Sequence, residues 1–237
     1  MKKSISFIII IILWQIAALL INRNVIMPMP LDVLSEMMMM LTSSSFYLAV
    51  SLTLFRVLIS LIISSVLGID LGIVSGLYGK VEDYLSPVIS LLQTIPQIAF
   101  IIIFLVWFKS TTALILIILL MVLPIFYYNT LNGIRNIDSE LMDVVKLYHH
   151  PLIYNVFKVY LPLIKGYLLS AFDSSIPLSL KIAVMAEIFV SSENGIGKQL
   201  YLARAQINMT GIFALTIWMI IIMQIILSIF KLYKKRS

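Results

Sequence analysis

NGIRNIDSELMDVVKLYHHPLIYNVFKVYL, residues 132–161, is the longest polar interval in an otherwise oily chain. Asp138-Ser139-Glu140 makes a good helix start: Asp138 can cap the first turn, and acidic side chains favour the positive end of the helix dipole. Leu141, Val144, Val145 and Tyr148 then recur at helical spacing on one apolar face. His149-His150-Pro151 stops the helix, because a proline disfavours helical geometry in the residue before it. A second short helix, about 152–157, leads on past Leu161-Pro162. Hydrophobic segments flank the stretch on both sides, so it must hang from a membrane as a loop. Two uses are open to such a loop: an amphipathic segment resting on the inner leaflet, or a helix docked in another protein's groove.

Working outward, composition sets the class. Of the 237 residues, 61% are hydrophobic and 12% charged, with a mean hydropathy of +1.07. Soluble domains carry about 25% charged residues, so this is an integral membrane protein. Without cysteine it can form no disulfide and no thiolate metal site. The only two histidines, His149 and His150, are adjacent in sequence, poor geometry for chelating one metal.

Hydropathy divides the chain into six spans. TM1 covers 5–21, read as a signal anchor because no small-residue cleavage site follows. A Pro-rich elbow with an interfacial helix, 22–45, lies on the far side. TM2 covers 46–77, long enough to tilt or project, and carries Arg56, Asp70 and a stripe of Gly68, Gly72 and Gly76. Such a stripe serves close helix packing or the approach of a ligand to bare backbone. TM3, 84–107, holds Gln93, Pro96 and Gln97 in its middle: either a packing kink, or irregular backbone beside a pathway. TM4 is 111–131, and the polar loop 132–158 follows. TM5, 159–190, contains Lys181 and Glu187; a second polar loop, 191–208, TM6, 209–230, and a basic tail, 231–237, complete the chain.

With the N-terminus inside, Lys2, Lys3, Lys80, Arg135, Lys146, Lys158, Lys165, Lys231, Lys234, Lys235 and Arg236 fall on the inner side. Only Arg23, Lys109, Lys198 and Arg204 fall outside. This asymmetry fits the positive-inside rule and puts both termini and the 132–158 loop in the cytoplasm. The net charge of +6 therefore reports orientation rather than nucleic acid; membrane lipid is a partner expected of any such chain. No internal repeat is visible, which weighs against a complete secondary transporter and favours half of a pathway completed by a second copy. Ionisable groups inside spans face partners or a cavity. Arg56, Gln93, Pro96, Gln97, Lys181 and Glu187 are accordingly candidates for a substrate pathway, Lys181 supplying positive potential for an anionic or zwitterionic solute. The competing reading is that Lys181 and Glu187 neutralise each other.

Asp143-Val144-Val145, then His149, then Leu161-Pro162 follow the spacing of the EAA loop of ATP-binding cassette importer permeases, E-A-A-x3-G-x9-I-x-L-P. Other pieces resemble the nitrate, sulfonate and taurine branch of that family. They are Met29-Pro30 with Val33-Leu34, Ser51-Leu52 with Arg56-Val57, Gly68 to Gly76, and Leu92 with Ile95-Pro96. Trp107-Phe108, Met185-Ala186-Glu187 and Gly195-Ile196-Gly197 with Leu200 continue the series. The resemblance implies an all-α integral membrane fold of six transmembrane helices with a cytoplasmic coupling-helix loop, like type I importer permeases. It implies a homodimer in the bacterial cytoplasmic membrane, two copies of an ATPase subunit beneath, and a substrate-binding protein outside. The solute would be a small sulfonate-, nitrate-, taurine- or thiamine-precursor-like molecule. Asp143, Val144, Val145, Tyr148, His149, His150 and Pro151 would form the ATPase-coupling segment.

Two departures stand out. Asp143 replaces the usual glutamate on a shorter arm. His149 stands where the family has glycine and cannot cheaply take a left-handed conformation, which predicts a different turn directed by Pro151. No G-x4-G-K-[ST] occurs, so no cofactor is expected in this chain, and ATP and Mg belong to the partner ATPase; the chain itself is not expected to be an enzyme. The alternatives are a stand-alone secondary carrier or channel, which would show more paired intramembrane acids, and a scaffold, which would need no polar residues in TM3 and TM5.

Overall fold

The computed structural model describes residues 2–148, 150–190 and 194–236, and every regular element in them is helical. The elements are α1 (Lys2–Ile21), α2 (Pro30–Met40), α3 (Ser44–Leu77), α4 (Gly79–Thr94), α5 (Gln97–Trp107) and α6 (Ser110–Arg135). They continue with α7 (Ser139–Leu147), α8 (Leu152–Asn155), a wide π-helical turn (Val156–Tyr160), α9 (Leu161–Leu163), α10 (Lys165–Phe189), α11 (Ile196–Ala205) and α12 (Met209–Arg236). Four helices, α3, α6, α10 and α12, are long and apolar enough to cross a membrane, and the bent pair α4–α5 makes a fifth span if counted as one. Within α1 the described residues hold a shorter apolar helix, Ile8–Ile21.

The centre of the bundle is the pairing of α3 with α6, and small residues make it close. Ser60, Ser64, Gly68, Gly72 and Gly76 recur every four residues and so share one face of α3. The Ser60 and Ser64 hydroxyls donate across to the carbonyls of Ile115 and Leu119, both at 3.1 Å. A Cβ on Gly68 would lie 2.6 Å from Phe126 Cβ, on Gly72 2.6 Å from Thr130 Cβ, and on Gly76 2.7 Å from Ile134 Cβ. The glycine stripe therefore serves helix packing, not an open approach to a ligand. Around this pair, Ile101, Leu114, Ile117, Ala183 and Ile196 close one apolar core, and Ile89 with Leu119, Leu123 and Tyr127 closes a second.

Four segments differ from the sequence expectation. The span 84–107 is not one kinked helix: it breaks at Ile95–Pro96, where α4 and α5 turn by 97°. Pro96 lacks an N–H, and both residues adopt extended backbone, so the helix cannot run through. The start of TM5 is likewise subdivided. Pro162 denies the Lys158 carbonyl its helical partner, the chain widens into the π-turn, and Ile164 (φ −90°, ψ 8°) interrupts it again before α10. Within the 191–208 loop lies α11, an unexpected helix, and the basic tail continues α12 through Arg236 instead of leaving the helix. The interfacial helix of the elbow, α2, packs Val33 and Met37 against Ala214 and Trp218 of α12.

Candidate functional site

Two regions concentrate the candidate residues. The first is the 132–161 stretch. Asp138 caps α7 as its sequence suggests, its Oδ1 accepting the Glu140 N–H at 2.9 Å. Met142 and Val145 turn toward Ile134, Tyr160 and Ile164 and anchor the helix to the bundle. Leu141, Val144, Leu147 and Tyr148 remain exposed. Leu141, Val144, Val145, Tyr148, His150, Tyr154 and Lys158 line a groove of about 500 Å³ between α7 and the foot of α10. The His150 ring lies 4.5 Å from that of Tyr154, and the Asn155 side chain donates to the His150 carbonyl at 3.3 Å. Pro151 precedes α8 in extended geometry. Asp143 is exposed on α7, and His149 lies outside the described residues. An exposed apolar surface of this kind, rimmed by charge, suits contact with another protein or with a membrane surface; among the described residues no cluster suits a metal ion.

The second region joins α3, α10 and the segment before α11. Arg56 Nη1 lies 2.7 Å from Glu187 Oε1, with the two residues 5% and 0% exposed. The Thr53 hydroxyl sits 2.9 Å from both carboxylate oxygens and accepts the Ile196 N–H at 3.0 Å. Gly197 N–H donates to Glu187 Oε2 at 3.0 Å, and Arg56 donates to the Asn194 carbonyl at 2.9 Å. Two charges at membrane depth persist only when paired and hydrogen-bonded, and here the partners come from three parts of the chain: α3, α10 and the segment leading into α11. The network also explains Gly195-Ile196-Gly197. A Cβ on Gly195 would lie 2.5 Å from Glu187 Oε2, and one on Gly197 2.4 Å from the Val184 carbonyl.

Arg56 and Glu187 are thus paired with one another and buried, whereas both were expected to line a pathway. Nor does Glu187 neutralise Lys181: residues six apart on a helix point to different sides. Lys181 instead faces a groove of about 210 Å³ against α12, beside Thr216 and Gln224. Gln93 and Pro96 are exposed at the α4–α5 break and Gln97 is half-buried. Among the described residues no hydrogen bond joins these to Lys181. Sequence reasoning missed Thr53, Asn194 and the Gly197 amide. Thr53 was within reach, three residues before Arg56 and so on the same helix face; Asn194 lies 138 residues from Arg56, whereas the Gly197 amide is only ten from Glu187.

Comparison with known proteins gives the family. The family of the binding-protein-dependent transport system inner membrane component matches residues 68–236. The putative aliphatic sulfonates transport permease protein SsuC of Bacillus subtilis is 27% identical over 217 residues, 90% of this chain and 78% of its own. The formylaminopyrimidine transport permease protein ThiX of Halalkalibacterium halodurans is 26% identical over 219 residues, 90% of this chain and 85% of its own. The taurine transport system permease protein TauC of Escherichia coli is 28% identical over 134 residues, 53% of this chain and 48% of its own. The chain belongs to the binding-protein-dependent transport system inner membrane component family: it is a multi-pass permease subunit of an ATP-binding cassette importer, not the ATPase.

Proposed function

We propose that two copies of this chain form the translocation pathway of an importer for a small anionic or zwitterionic solute. Two ATPase subunits, which carry the ATP and Mg, drive it through the 139–163 segment. The observation that carries this reading is the apolar groove beside α7, with Val144 and Tyr148 exposed on a helix whose other face is anchored in the bundle. A helix fixed on one side and apolar on the other is suited to carry force from a docked partner. The excess of Lys and Arg supports an orientation with this segment and both termini in the cytoplasm. The face bearing α11 then meets the substrate-binding protein.

Lys181, exposed at membrane depth beside Thr216 and Gln224, and the exposed Gln93 favour a surface completed by a second copy. The relatives named for sulfonates, taurine and formylaminopyrimidine support a solute of that size, and Lys181 favours one bearing an anionic group.

The test is copurification from membranes, wild type against Asp143→Arg, with partners identified by mass spectrometry and ATPase activity assayed. Recovery of a nucleotide-binding subunit with wild type and its loss with the variant is expected. Equal recovery with both would overturn the role of α7. In the assembled importer Lys181→Met lowers uptake at unchanged subunit recovery; unchanged uptake removes Lys181 from the pathway.

A further inference from the structure

The helix α12 is fastened near its two ends, and its middle packs only in part against the bundle. Near its start, Trp218 donates to the Met37 carbonyl at 3.3 Å and its ring lies 5.6 Å from Phe46. Near its end, the Phe230 ring lies 5.9 Å from Phe172, and Lys234 Nζ is 2.6 Å from Asp173 Oδ2. Beside the second fastening opens a cleft of about 460 Å³, walled by α3 from Leu54 to Ser65, by α10 from Phe172 to Leu180, and by α12 from Met223 to Phe230.

Three properties of the cleft define its occupant. It is apolar: among the described residues the one polar side chain lining it is Ser65, whose hydroxyl is already bonded to the Ile62 carbonyl at 2.9 Å. A water-soluble solute would find no partner there. It is short: the run from Leu54 to Ser65 rises about 16 Å at 1.5 Å per residue, roughly half of a ~30 Å hydrocarbon core. A second helix crossing the membrane would need the full depth, whereas one leaflet's acyl chain fits half. It is charged at one mouth: Lys234 follows Phe230 on the same face one turn on, with Lys231 and Lys235 beside it, all three exposed. Asp173 partners Lys234, and neither Lys231 nor Lys235 makes an ion pair among the described residues.

We propose that this cleft binds an anionic glycerophospholipid, one acyl chain lying between α3, α10 and α12 and the headgroup phosphate held by Lys231 and Lys235. Clustered lysines at the end of a transmembrane helix attract anionic headgroups, and the apolar cleft beside them adds a place for the chain. The inference needs the chain to sit in a membrane but does not depend on the coupling segment or the solute, so its failure leaves the importer reading untouched.

Because the chain has no cysteine, Leu58→Cys provides a single labelling site on the rim of the cleft. The full-length variant, labelled with a fluorophore, is reconstituted into phosphatidylcholine vesicles containing a small fraction of brominated phosphatidylglycerol or brominated phosphatidylcholine. Quenching by the anionic lipid is expected at several-fold lower mole fraction than by the zwitterionic one. The preference should fall about fivefold for each of Lys231→Gln and Lys235→Gln, two exposed positions where folding is not at stake. Ile176→Trp, filling the cleft, should abolish the preference for the anionic lipid, leaving equal quenching by the two. Equal quenching by the two lipids in the parent protein would overturn the proposal. So would a disulfide between two chains at Leu58→Cys that excludes both lipids, because a protein segment would then occupy the cleft.

Discussion

Replacing Glu187 by alanine leaves the Arg56 guanidinium, 5% exposed, facing a hole where its counter-charge stood. Breaking a buried ion pair from one side costs about 3–5 kcal/mol, because the surviving charge keeps its desolvation penalty without its partner. Thr53 and the Gly197 N–H lose their acceptor as well. Glu187→Gln keeps the volume and one acceptor but turns an amide donor toward either Arg56 or Gly197, a milder loss of about 2 kcal/mol. Removing both charges, as in Arg56→Met with Glu187→Met, should restore much of the stability, since an apolar pair of similar volume can replace a buried ion pair. The two single substitutions are then strongly non-additive, with a coupling of about 2–3 kcal/mol. Thermal unfolding in detergent micelles checks the series. At roughly 2–4 °C per kcal/mol for a chain of this size, Glu187→Ala should lower the midpoint on the order of 10 °C. Trypsin provides a local readout, because Lys198 and Arg204 on α11 should become faster cleavage sites once the preceding loop is released. A midpoint shift below about 2 °C, or additive single substitutions, would refute the argument that this pair clamps the loop to the bundle.

Three further outcomes follow from backbone geometry. Gly72→Ala should destabilise by about 1–3 kcal/mol, typical of forced overpacking, because its Cβ would meet Thr130 Cβ at 2.6 Å and the Tyr127 carbonyl at 2.8 Å. Gly79→Ala, with nothing within 4 Å of the added carbon, should be neutral in the same melting assay. Ile207 holds a positive φ of 56° while 66% exposed, in the turn where Asn208 N–H reaches back to the Ala203 carbonyl at 2.8 Å. A β-branched residue is costly in that left-handed position, so Ile207→Gly should raise stability by about 1 kcal/mol. A lower melting temperature would mean that the exposed side chain contributes more than its backbone strain costs.

How far the sequence could be read depended on the range of each interaction. The start of α7 at Asp138 and the packing of Gly68, Gly72 and Gly76 were legible, because caps and i,i+4 stripes are local. Pro96 announced an irregularity, but a proline does not state its angle. Whether a chain kinks or turns through 97° depends on what α4 and α5 pack against. The partner of Glu187 was not legible: Arg56 lies 131 residues away, and the nearer Lys181 was the more inviting choice until the helix placed it on another side. The helix α11 was hidden for a different reason. A short helix capped by Gly195, with polar residues among its apolar ones, has the composition of a loop.

The serine–glycine seam between α3 and α6 has a mechanical consequence. Backbones in such close contact cannot slide without lifting side chains out of their seats, so α3 and α6 act as a single strut. The strut reaches α7 through only the three residues between Arg135 and Ser139. On the other side of α7 the chain passes through the π-turn and the Ile164 interruption before α10. A push on α7 therefore meets a stiff column on one side and a compliant joint on the other. On the coupling role proposed for α7, the expected displacement is a swing of α10 against the strut, with the Arg56–Glu187 pair near the far end of α10 as the hinge pin.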